Sequence, residues 1–280
     1  MIDHLAERTD ERPPGDMDVG HQEDSDLIIR VLVIEHEPAA GPGRVGQWLS
    51  ADGVVLEICR PYAGEMVPER VEADGLLVLG GSVGPRDDVV APWLPATRAL
   101  LRRAVEDAVP IWGICLGGQL LAAALGGDVR RGASGPEVGV LALDVDAGDD
   151  PVFGGLPART YALQFHQDAI TRLPEGAVRL AGNSAYENQV FRVGSCAWAV
   201  QFHPEVTTED VQVWARAYPH VVAVGGRDVV QVVDELAARQ DELEQTWAPV
   251  TRRWAAQVRQ RSAQRTIDQQ ADSFHSWPQR

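Results

Sequence analysis

The sequence predicts a doubly wound α/β fold on a mixed, mostly parallel sheet with flavodoxin-like layering and helices at its C-terminal end. Three observations carry this expectation. Several short runs are apolar without alternation, the composition of strands covered on both faces. They alternate with amphipathic segments, as βαβ units require. One of them leads through a glycine-flanked cysteine directly into a helix of small residues.

Residues 1–26 are polar and acidic with no apolar periodicity, and read as a disordered leader that buries too little surface to offset the entropy of ordering. The first buried strand is expected at Leu27–Glu35 (LIIRVLVIE), followed by Val54–Cys59, Gly75–Leu79 and Val109–Ile114. Ahead of the last of these, Pro95–Asp107 has helical period, with Leu100, Leu101, Ala104 and Val105 on one face. Gly118–Leu125 (GQLLAAAL) reads as a buried helix that Gly126-Gly127 ends. Past Asp128, strands follow one another without helices at Val138–Val145, Thr160–Phe165, Val178–Ala181, Gln189–Val193 and Ala197–Phe202, which suggests an antiparallel or mixed part of the same sheet. Thr207–Tyr218 and Asp228–Arg261 are helical in period; Pro249 is expected to break or kink the second, and the polar composition from Ser262 onward suggests fraying. The implied organisation is a leader over 1–26, a main domain over 27–219 and a helical extension over 220–280.

The 280 residues carry a net charge of −16, a field that repels a phosphate backbone or an anionic membrane, so neither nucleic acid nor membrane is an expected partner. All 25 of the Lys+Arg side chains are arginine. That excludes a P-loop lysine, a Schiff-base lysine and a kinase β3 lysine. Cys59, Cys115 and Cys196 have neither disulfide-framework nor zinc-ligand spacing, so no metal or cofactor is expected. Without an apolar leader or a membrane-length run, a reducing cytoplasm is the expected location.

The chemistry concentrates in two segments. GICLGGQ (Gly113–Gln119) lies where a strand turns into a helix, and its glycines make room for Cys115 at a strained corner facing the helix N-terminus, a nucleophile elbow. AVQFHPEV (Ala199–Val206) ends a strand in His203-Pro204-Glu205, which supplies a base and a carboxylate two residues on that can orient its imidazole. A third segment, VLGGSVGP (Val78–Pro85), offers backbone amides around Gly80 and Gly81 that could converge with the amide of Leu116 on a developing oxyanion. Elsewhere, His36 reads as a loop cap, Cys59 and Cys196 as core, and Asp87-Asp88 as a solvated loop rather than a metal site. Trp247 and Trp254 read as a packing stripe.

In this order, GGSVGP, GICLGGQLLAAALGG, EVG (Glu137–Gly139), FHQD (Phe165–Asp168), NQVFRVG (Asn188–Gly194) and VQFHPEV resemble the class I (triad) glutamine amidotransferases, especially the stand-alone group similar to the glutaminase domain of GMP synthase. The resemblance covers about Leu27 to Tyr218. It implies that Cys115 attacks the side-chain amide of glutamine to give a γ-glutamyl thioester and ammonia, with His203 moving protons and Glu205 behind it. It further implies an oxyanion hole at Gly80, Gly81 and Leu116, and substrate contacts at Gln119 and along His166, Gln167 and Asp168. The usual His-Gly-Asp stands here as His166-Gln167-Asp168, which keeps open a γ-glutamyl hydrolase or peptidase acting on other γ-glutamyl amides. Glu137 and Gln189 match family motifs and read as structural. The implied partners are a small-molecule substrate and a synthetase that accepts the ammonia; a non-catalytic scaffold is the alternative of another class.

Overall fold

The computed structural model describes residues 28–275. The acidic leader expected over 1–26 lies outside the described residues. Strands β1 (Ile29–Ile34), β2 (Val54–Cys59), β3 (Gly75–Val78), β4 (Ile111–Ile114) and β11 (Ala197–Val200) run parallel in the order β2-β1-β3-β4-β11. The sheet continues antiparallel through β10 (Val190–Val193), β9 (Val178–Gly182), β6 (Glu137–Val145) and β7 (Arg159–His166). The doubly wound, mixed sheet expected from the sequence is therefore the one found.

The apolar runs are unbroken because alternate residues feed two cores. In β11, Trp198 and Val200 enter the core shared with α1 (Gly43–Ala51) and α7 (Gln240–His275). Ala197 and Ala199 enter the opposite one, shared with α2 (Leu94–Glu106) and α3 (Leu116–Ala124). A consequence matters for function. Since β1, β3, β4 and β11 are parallel, their carboxyl ends meet along one edge of the sheet, which is where Gly80, Cys115 and His203 emerge.

Several expectations are corrected. The helix over Asp228–Arg261 divides at Arg239, between α6 (Val229–Ala238) and α7, and α7 runs unbroken through Pro249. Trp247 and Trp254, both buried, hold that helix down: Trp254 packs on Trp112 at 5.8 Å between ring centroids, and the Trp247 indole donates to the Tyr161 carbonyl. Helix propensity is a weak prior beside such packing. The fraying expected from Ser262 is not seen as far as His275. Arginines anchor this stretch to the amino edge of the parallel strands: Arg259 donates to the Asp52 carbonyl, Arg261 to those of Asp107 and Ala108, and Arg265 to the buried Asp74 carboxylate at 2.8 Å. Replacing Arg265 by alanine is expected to cost about 1 kcal/mol, with amide exchange accelerating first in α7 beyond Arg259. Uniform exchange along α7 in that variant would show that the Asp74 contact does not anchor it.

Helices α1 and α5 (Pro219–Val224) and a two-stranded sheet of β5 (Asp128–Arg131) with β8 (Asp168–Arg172) are additions to the sequence reading. Helix α4 (Thr208–Ala217) starts where expected, closed by a capping box in which Thr207 and Asp210 bond each other's backbone. No helix among the described residues is long and apolar enough to cross a membrane.

Candidate active site

Cys115 sits between β4 and α3 with φ 49°, a conformation that L-residues avoid and that the surrounding structure must impose. Its amide donates to Val200 O at 2.8 Å, and the amide of Gly117 to Leu79 O at 3.1 Å, so both neighbouring strands clamp the turn. The glycines are there because backbone passes too close for a side chain. A Cβ on Gly117 would collide with the Val78 carbonyl, and one on Gly113 would stand 2.7 Å from the Gly117 carbonyl oxygen. Helix α3 begins at Leu116, earlier than the sequence suggested, so the thiol lies at the helix N-terminus itself.

The strand register carries His203 to the same place. Val200 of β11 lies opposite Ile114 of β4, which puts Gln201 beside Cys115, with its amide 3.7 Å from Sγ. Two residues on, the His203 amide donates to Leu163 O, its Nδ1 lies 2.7 Å from Glu205 Oε1, and the indole of Trp214 stands edge-on to its ring at 4.7 Å. Burial by itself would lower the imidazole's pKa, but the Glu205 carboxylate and the adjoining Cys115 side chain outweigh it and push it up to about 10. The carboxylate thus favours the protonated form of the ring. The second Glu205 oxygen is buried without a hydrogen-bond partner.

A pocket of about 170 Å³ opens over this edge, and among its lining residues are Gly81, Cys115, Gln119, His166, Gln167, Asp168 and His203. Glu205 stands behind His203, outside the lining. Gly80 packs against the His203 ring and Cys115, where a Cβ would come within 3.1 Å of Cε1 and 3.7 Å of the Cys115 Cβ; Leu116 packs under Gly81, and of the three only Gly81 lines the pocket. Gln119, buried, spends its amide hydrogens on Asp168 O at 3.1 Å and Gln201 Oε1 at 3.2 Å. What sequence reasoning missed are Gln201, which lay inside a motif already singled out, and Glu37, Arg131 and Tyr218, which reach the pocket from distant segments. Tyr218 donates to Glu37 at 3.2 Å, and Arg131 lies 3.6 Å from the Asp168 carboxylate.

A family model described as glutamine amidotransferase class-I matches residues 49–213. The chain belongs to that family. Similar solved structures are a glutamine amidotransferase of Thermotoga maritima (28% identity, TM-score 0.73, covering 81% of this chain and 97% of that one) and one of Methylobacillus flagellatus (26%, TM-score 0.75, 82% and 95%). Among curated relatives, a glutamine-hydrolyzing GMP synthase subunit of Methanoculleus marisnigri is 39% identical over 48% of this chain and 66% of its own length. The glutamine-hydrolyzing GMP synthase of Porphyromonas gingivalis is 32% identical over 53% of this chain, but only 28% of that longer protein is spanned.

Within this class I glutamine amidotransferase, His36, Asp88, Cys59 and Cys196 lie outside the pocket lining, whereas Asp87 is part of it. His36 is no loop cap: it is buried, its Nδ1 accepts the Trp93 indole N–H at 3.0 Å, and burial lowers its pKa to about 4, so it is neutral. Asp88 is paired with Arg98 at 2.8 Å rather than merely solvated, and Asp87 caps Gly84 N at 2.7 Å. Cys59 and Cys196 are buried and free. Among the described residues no group of three or more His, Cys, Asp or Glu is placed to hold a metal ion.

Proposed function

We propose that this chain is a glutaminase whose nucleophile is Cys115. Cys115 attacks as a thiolate whose proton rests on His203: the sulfur adds to the amide carbon of the glutamine side chain, and the oxygen that gains charge is received by amides of Gly80, Gly81 and Leu116. Collapse of the adduct breaks the C–N bond as the His203 imidazolium gives the leaving nitrogen its proton, releasing ammonia and leaving a γ-glutamyl thioester. Water, deprotonated by the now neutral His203, hydrolyses the thioester to glutamate and returns Cys115. Glu205 holds the imidazole and stabilises its charged form. Gln119, His166, Gln167 and Asp168 bind and shape the substrate pocket.

The single observation that carries this reading is the strained Cys115, held at φ 49° beside an imidazole whose far nitrogen lies 2.7 Å from Glu205. A scaffold has no use for such a corner. The amidotransferase unit is assigned to 27–219, with 220–280 a helical extension, and the ammonia goes to a synthetase-type partner chain in the cytoplasm. A second reading, hydrolysis of γ-glutamyl amides other than glutamine, draws on Gln167, which lines the pocket with a long amide. Incubation with glutamine and with γ-glutamyl peptides, following glutamate and ammonia, separates the two. An electrophilic glutamine analogue is expected to label Cys115 alone and in proportion to lost activity; labelling of another residue, or none, would refute the assignment.

A further inference from the structure

His166, which lines the pocket, belongs to a buried polar cluster whose other members the proposed reaction leaves without a role. Glu137 and His166 are directly opposite on β6 and β7, and His166 Nε2 is 2.9 Å from Glu137 Oε2. The other ring nitrogen, Nδ1, is 3.0 Å from the carbonyl oxygen of Asp168. Both side chains are almost fully buried, His166 at 2% exposure and Glu137 at 7%, so neither can complete its bonding with solvent.

Hydrogen bookkeeping constrains this arrangement. A carbonyl only accepts, so Nδ1 carries a hydrogen. The Nε2 to Oε2 contact requires a second one between ring and carboxyl. Its owner is indicated by what else faces Glu137: Gln189 Nε2 donates to Oε2 at 2.6 Å and Asn183 Nδ2 to Oε1 at 2.8 Å. The Asn183 orientation is fixed by its own oxygen, which accepts from the amides of Ala185 and Tyr186. Two side-chain amides thus already donate to Glu137, one to each oxygen, and a carboxylate that accepts at the third contact as well leaves the second hydrogen on His166. Other ionisable groups on this side are the Tyr186 phenol, edge-on at 5.7 Å, and the Asp168 carboxylate with Arg131 against it, and Cys115, His203, Glu37 and Asp87 line the same pocket as His166.

The Asp168 carbonyl receives Gln119 Nε2 as well as His166 Nδ1, so it joins the cluster to the pocket. Gln119 in turn bonds Gln201, which touches the Cys115 sulfur. We propose that Glu137 and His166 are positioning residues: a buried pair whose imidazole carries hydrogen on both nitrogens fixes the Asp168 carbonyl, and through it sets the Gln119 side chain for substrate. Its kinetic consequence rests on the glutaminase reading; its protonation pattern does not.

Two measurements test it on the full chain. With 15N-labelled histidine, the His166 ring, assigned by its loss in His166→Gln, is expected to show two protonated nitrogens in the wild type at neutral pH. Glu137→Gln, which keeps the shape but removes the charge, is expected to turn it into a ring with one hydrogen. The same variant is expected to raise the KM for glutamine about tenfold while kcat stays within about threefold, the scale of one hydrogen bond to a charged group. A wild-type ring with a single hydrogen overturns the proposal, as does a fall in kcat with KM unchanged. If neither protein hydrolyses glutamine, the glutaminase reading fails while the ring spectrum still decides the pair.

Discussion

Cys115→Ala is expected to abolish glutamine hydrolysis, lowering kcat by about 10⁴-fold or more, because no other step can begin without the covalent adduct. Its fold should survive, since the turn is held by the amides of Cys115 and Gly117 and by close backbone contacts at Gly113 and Gly117, none of which involve the sulfur. A companion variant separates chemistry from strain. Glycine adopts φ 49° without the strain that alanine and cysteine bear there, so Cys115→Gly is expected to be equally inactive yet about 1 kcal/mol more stable than Cys115→Ala. Glutamate release and thermal unfolding of the three proteins give both comparisons. Substantial residual hydrolysis in Cys115→Ala would move the nucleophile elsewhere, and equal melting of the two variants would mean the corner stores no strain.

The parts of this protein that were legible in its sequence are those whose signal is local. Strands β3, β4 and β11 announce themselves because every residue is buried, which leaves no room for alternation, and β1 and β2 because only Arg30 and Val55 in them are exposed. Cys115 and His203-Pro204-Glu205 could be read because each motif lies within a few residues, and the parallel register then brings them together. Strands β5 and β8 escaped notice: DVRR and DAITR are short and half polar, and they pair only with each other. Pro249 and the polar end of α7 misled for the opposite reason, since local preference there is overruled by Trp247, Trp254 and the arginines that reach the amino edge of the sheet. The same distance limit hid the wiring of the pocket. Glu137 reads as a structural residue of a family motif just ahead of a strand, and only the pairing of β6 with β7 sets it against His166.

Glu205→Gln should reduce kcat by about 10²- to 10⁴-fold and, more diagnostically, shift the alkaline limb of activity. In the wild type, burial works against the His203 charge, and the Glu205 carboxylate is a principal group opposing that penalty, with the ring ending near 10. An amide at 205 removes the negative charge and leaves the burial. The imidazolium that must protonate departing ammonia then loses its proton at lower pH, so the alkaline limb moves acidward in kcat/KM. Stability follows the same sign. A histidine raised from 6.5 to about 10 contributes stability that is fully present below 6.5, declines as pH rises above that value, and is gone above about 10. The melting deficit of Glu205→Gln is therefore expected to be large near neutrality and to shrink as pH approaches 10. An alkaline limb unmoved by the substitution would mean that the carboxylate orients the imidazole without governing its charge, and the 2.7 Å contact would then be a matter of geometry alone.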